Sequence, residues 1–222
     1  MTTFADGWFG TDLGPYRQCG GTYDLFPADS VPPLPPLDGT FRWLPPRSLS
    51  TPGDGFAEPS DSIPTSSMEF MDPAPNVTLE RVDAELPPSF VDFMGHLEWR
   101  AAIPSCTACY WSVSAAVPSP VGDGAHLVRF LNDQQAVLLW WLYLRADGSH
   151  SVVCGGIPYD TYTASAEQTR ADLVTVAPSF EAFLYRFWVE NLAWFELNEW
   201  GRPPAELDPA VREYLRHYNG DV

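Results

Sequence analysis

The run Val137-Leu138-Leu139-Trp140-Trp141-Leu142-Tyr143-Leu144 holds eight apolar residues, with polar turns on either side at residues 132–135 and 146–149. A strand with one face in water alternates apolar and polar side chains. This run does not, so both of its faces need cover. It falls well short of the ~18 apolar residues of a membrane span. It therefore reads as a central strand over residues 136–145. A strand at 126–131 precedes it and one at 150–154 follows, with Asp147-Gly148 as the hairpin signal between the last two. Helices are expected on one face. The other is left to an aromatic arm of the same chain or to a partner.

Three helices are legible. Phe90, Phe93, Met94 and Leu97 recur at helical spacing, with Ser89 as the expected N-cap. Residues 178–201 carry Phe180, Phe183, Leu184, Phe187, Trp188, Asn191, Trp194 and Phe195 on the same period, and Gly201 with Pro203-Pro204 marks the stop. A last helix opens on Asp208 as N-cap and Pro209 at its first position, burying Val211, Tyr214, Leu215 and Tyr218. The fold class expected is α+β: a single, mostly antiparallel sheet packed against helices, with an extended proline-rich N-terminal arm.

Residues 1–78 form that arm and residues 79–222 the α+β domain. The arm holds 13 of the 23 prolines, in stretches such as VPPLPPLDG. It also holds Trp8, Phe9, Tyr16, Tyr23, Phe26, Phe41, Trp43 and Phe56, too many aromatics for a linker. It is expected to lie on the core, with short strands near residues 20–26 and 40–44. The PPLPP stretch is alternatively a polyproline II ligand for another protein.

The chain carries 29 acidic residues against 12 basic ones, a formal charge of −17. Every basic residue is arginine, which reads as the coding bias of a GC-rich, actinobacterial genome. Such a field repels nucleic acid and anionic lipid and speeds encounter with basic proteins. A DNA-mimicking acidic surface is a further use of the same charge. The amino terminus shows no signal peptide, so a cytoplasmic location is expected. Cys19, Cys106, Cys109 and Cys154 are then thiols. Cys106-Thr107-Ala108-Cys109 is half of a zinc site, which Cys154, Cys19, His150 or His126 would have to complete. Without a second CxxC or an HxxxH, no metal and no cofactor is expected. No catalytic motif is present, and no catalytic residue is assigned.

An ordered set of packing motifs spans about residues 79–199. It begins with Leu86-Pro87-Pro88-Ser89-Phe90-Val91-Asp92-Phe93-Met94, a helix opening on leucine-proline. A strand ending at an acidic turn follows, Val128-Arg129-Phe130-Leu131-Asn132-Asp133-Gln134-Gln135. Next come Trp140-Trp141-Leu142-Tyr143-Leu144, the Asp147-Gly148 turn, and the closing Ser179-Phe180-Glu181-Ala182-Phe183-Leu184. This set resembles the SUKH superfamily of bacterial immunity-type proteins, related in fold to cell-wall-assembly regulators. The asparagine-glycine usual after the first helix is absent, and the CTACYW stretch and the arm are additional. The resemblance implies one sheet with helices packed on it. It also implies a non-enzymatic role, often the neutralisation of a toxin, frequently a nuclease, in toxin–antitoxin-like conflict.

The expected function is accordingly a protein-binding module for a basic toxin or effector. Asp133, Glu196, Glu199 and Trp200 are its candidate contact residues, as aromatics ringed by charge suit an interface. The alternative is a metal-binding or enzymatic accessory protein of a biosynthetic cluster, using Cys106 and Cys109 or buried carboxylates.

Overall fold

The computed structural model describes residues 4–45, 71 and 77–219. It is an α+β fold built on one eight-stranded sheet, with the strand order β2-β1-β8-β7-β6-β5-β3 and β4 paired to β5 off that path. The strands are β1 Ala5–Gly10, β2 Asp24–Pro27, β3 Tyr110–Trp111, β4 Val117–Pro118, β5 His126–Asn132, β6 Leu139–Leu144, β7 His150–Gly155 and β8 Val174–Ala177. The helices are α1 Pro88–Gly95, α2 Leu97–Ala101, α3 Ala166–Asp172, α4 Phe180–Trp194 and α5 Pro209–Asn219. Among the described residues only β1 and β8 pair in parallel; the other pairings are antiparallel.

The apolar run becomes β6, with all six strand residues buried. Trp140, Leu142 and Leu144 join the main core beneath the helices. Leu139, Trp141 and Tyr143 face the opposite way into a smaller cluster with Leu127, Val153, Tyr159, Ala164 and Leu173. Trp141 meets the Tyr159 ring edge-on at 5.5 Å, and Phe4 meets Tyr143 at 5.2 Å. The second face is thus covered mainly by loops of the globular part around residues 117–125 and 157–164, with Phe4 the one contribution from the arm among the described residues. That corrects the expectation of the aromatic arm or a partner there. The strand also starts later than the run does. Ala136 takes a left-handed conformation (φ 54), and Val137 stands 54% exposed.

The arm packs on the helix side. Trp8, Leu13, Val31, Phe41 and Leu44 are buried in the main core. β1 lies between β2 and β8, so the sheet itself includes the arm. Within VPPLPPL, Val31 is buried and Leu34 and Leu37 pack against the core, while Pro33 and Pro36 are exposed. That three-residue period matches an extended polyproline-like chain with one face down. Residues 40–44 are a turn and not a strand: Phe41 sits at φ 52 and the Leu44 amide returns to its carbonyl at 3.0 Å. Phe56 and most of the proline-rich stretch after residue 45 lie outside the described residues.

Helix α1 starts one residue before Ser89. Pro87 is its N-cap without a side-chain bond and Pro88 takes the first turn, where a missing N–H costs nothing. In α4, Ser179 caps the Ala182 amide at 3.2 Å. Twelve of its 15 residues are buried, the pattern of a helix surrounded on all sides. It continues as a π-helical turn, Phe195–Glu199. In α5 the Asp208 carboxylate receives the Ala210 amide at 2.8 Å.

Candidate functional site

The described carboxylates divide sharply. Asp133, Glu181, Glu190 and Glu196 are the buried ones, and the rest are half-buried or exposed. Three of the buried four are held by donors from the arm. Glu190, on α4, accepts from Arg17 through both carboxylate oxygens at 2.6 and 2.7 Å, from the Trp8 indole at 2.7 Å and from the Tyr214 hydroxyl at 2.6 Å. Glu181, two turns earlier, accepts from the Gly39 amide at 2.6 Å, the Phe41 amide at 3.3 Å and the Trp43 indole at 3.0 Å. Asp133 accepts from the Tyr23 hydroxyl at 2.9 Å and from the Gln135 and Val137 amides of its own turn.

A buried carboxylate is tolerated only when donors replace its lost water. Arg17 supplies a bidentate ion pair with side-chain exposures of 5% and 3%, so Arg17 and Glu190 hold each other inside. Burial lowers the pKa of the Arg17 guanidinium, but the charge and hydrogen bonds of Glu190 outweigh it and leave that pKa raised. Burial raises the Tyr214 and Tyr23 phenols, which keeps them protonated donors. Of the Arg17 nitrogens, only the buried Nε lacks a hydrogen-bond partner. The arrangement does the work of a clasp.

The four residues expected at a partner surface are not equivalent in the structure. Glu196 is 1% exposed and receives Arg202 at 2.6 Å and the Asp208 amide at 2.9 Å, closing the link from the π-helical turn to α5. Burial raises its pKa above the usual carboxylate range. Asp133 is 3% exposed and bonded as above. Neither can offer charge to a partner, which corrects their assignment. The helical period put Glu196 beside Glu199, but the chain folds back over Glu196 through Arg202 and Asp208. Glu199 is exposed, and Trp200 is half-buried with the Arg202 guanidinium 4.6 Å from its ring centre.

Among the described residues, no group of three or more His, Cys, Asp or Glu is placed to hold a metal ion. All four cysteines are free thiols, with Cys109 and Cys154 buried. Burial pushes the Cys106 thiol up to about 12 and raises Cys109 and Cys154 as well, so none is a thiolate near neutral pH. The Cys106 amide is held by Asn191 at 2.8 Å, and Cys109 lies beside Tyr23 and Thr107. The CTAC loop is therefore one more attachment point between the arm, α4 and β3. At Cys154-Gly155-Gly156, a side chain on Gly155 would collide with Asp172, whose carboxylate takes the Gly156 and Ile157 amides and the Tyr159 hydroxyl.

Comparison with protein-family models, with curated proteins and with solved structures finds no match for this chain. No described helix is long and apolar enough to cross a membrane.

Proposed function

We propose that the chain is a non-enzymatic protein-binding module of the SUKH immunity kind, acting in the cytoplasm on a basic partner such as a nuclease-type toxin. One observation carries the reading: the buried carboxylates are saturated from within, while most of the other described acids stand exposed. Asp6, Asp29, Asp38, Glu80, Asp83, Glu85, Asp92, Glu167, Glu199, Glu206 and Glu213 are among the exposed acids. Of the arginines, Arg17, Arg129 and Arg202 are paired to Glu190, Asp160 and Glu196 and neutralised, and Arg216 pairs with Glu213 at the surface. An outward negative field of this kind steers a cationic protein to contact. The ordered motifs of residues 79–199 and the sheet-and-helix architecture support the SUKH comparison.

At the contact, Glu199 supplies charge and Trp200 supplies aromatic area. The test uses a basic protein captured from source cells and purified separately. Its association rate with this chain should fall steeply as salt is raised, since exposed attraction is screened within ~10 Å at 0.1 M. Reversal by Glu199→Arg should slow association several-fold with the melting temperature unchanged. Association insensitive to both salt and Glu199→Arg refutes this surface, and turnover of a substrate by the purified chain refutes the non-enzymatic reading.

A further inference from the structure

A cavity of about 460 Å³ opens where the start of β7 and the end of β8 meet β1 beneath the 3-10 turn Ala28–Ser30. Its lining brings together Arg145, Arg186 and His150, with Asp6 as the sole lining carboxylate and with Trp8 and Val31 as apolar wall. In a chain of −17 this is a local reversal of sign.

The positive charges there are incompletely matched. Among the described residues, neither Arg145 nor Arg186 makes an ion pair within 4.0 Å. Arg145 donates to the neutral Ser151 hydroxyl at 3.0 Å and lies 5.3 Å from the Tyr143 ring. Arg186 donates through Nη2 to the Pro32 carbonyl at 2.9 Å and lies 5.5 Å from the Trp8 ring, while its buried Nη1 has no hydrogen-bond partner. Arg145 lies near enough to the exposed Asp147 to help lower its pKa, but the buried Nη1 of Arg186 has neither water nor a counter-charge, which is costly, and an oxyanion is its natural complement. His150 receives the Phe180 amide on Nε2 at 3.3 Å, so neutral His150 carries its proton on Nδ1 as a further donor. Burial and then Arg145 lower its pKa, which favours the neutral ring.

We propose that this cavity binds a small molecule bearing an oxyanion, carboxylate or phosphate. The charged group sits against Arg145, Arg186 and His150, and the body of the molecule lies on Trp8 and Val31. The volume suits this, since a bare inorganic ion would leave most of it unfilled. The site is independent of the proposed protein-binding surface and stands or falls apart from it.

The test is titration of the full chain with inorganic phosphate and, separately, with benzoate at constant ionic strength, following the ring protons of the four histidines by NMR. The expected result is a saturable shift at His150 alone with at least one of the two probes, and a rise in its pKa on saturation because a nearby anion favours the imidazolium. Response to phosphate alone assigns a phosphate ligand, and response to benzoate alone a carboxylate. Arg145→Gln should weaken binding at least tenfold. Arg145 is half-buried at the turn after β6, and its one side-chain hydrogen bond goes to a serine hydroxyl rather than to a carboxylate, so Arg145→Gln strands no buried charge and stays folded even if Arg186→Gln does not. No saturable His150 shift with either probe to tens of millimolar, equal shifts at His96, His126 and His217, or undiminished affinity in Arg145→Gln overturns the proposal.

Discussion

At the scale of single residues, burial decides what each carboxylate does. Removing one member of a buried ion pair strands the other, at a cost of about 3–5 kcal/mol. Glu190→Gln should therefore lower the urea-unfolding free energy by that order, and Arg17→Met similarly. The double variant should cost clearly less than the sum, because neither partner is then left charged and alone. Additive losses would show that the two groups act separately. Glu196 makes a pH-dependent contribution of the opposite kind to a surface acid. Its folded pKa lies above the ordinary 4.5, so the folded state holds a proton there that the unfolded chain has released. Stability then falls as pH rises from about 4.5 through the folded pKa, since the unfolded state binds fewer protons across that window. Compared with Glu196→Gln, the wild type should lose relative stability over that interval; a constant difference from pH 4 to 7 would contradict it. The sequence revealed that these acids exist but not which way they face. Glu196 and Glu199 share a helical spacing, and only Arg202 and Asp208, brought back past Gly201, separate the inner one from the outer.

At the scale of elements, the apolar run carries two kinds of position. Trp141 is wholly buried between Arg129, Tyr159 and the loop above it, whereas Val137 sits outside the strand. Trp141→Ala should cost about 3–5 kcal/mol and Val137→Ser less than about 0.5 kcal/mol, measured by urea denaturation. Equal effects would mean that the strand begins at residue 137 after all. The meander, α4 and α5 were legible because each repeats a period over many residues or ends in a recognisable cap. β1 was not. Ala-Asp-Gly-Trp-Phe-Gly is too short and too rich in glycine to show alternation, and its place beside β8 comes from pairing far along the chain. Helix α3 and strand β8 went unassigned although a signal was present: Ser165 and Gln168 form a reciprocal capping box. Tyr110-Trp111 reads as entry to a strand and becomes β3, whereas the two-residue β4 exists only as a partner of β5 and nothing local specifies it.

At the scale of the whole molecule, the arm and the domain share one sheet and one main core. Trp8, Tyr23, Phe41 and Trp43 bring both apolar area and N–H or O–H donors, and Glu190, Asp133 and Glu181 receive the donors. The sequence showed the aromatics of this arm but could not pair them with carboxylates more than 100 residues away. The three-residue spacing of Val31, Leu34 and Leu37 was the readable sign that its proline-rich part lies against a surface. The buried acids Glu190, Glu181 and Asp133 hold the chain's own arm to the domain. Native-state hydrogen exchange tests this most directly, at the Gly39 and Phe41 amides that Glu181 holds. Protection within about tenfold of the β6 amides is expected, because arm and sheet should open together in global unfolding. Exchange at the rate of an unstructured chain, with β6 still protected, would contradict it.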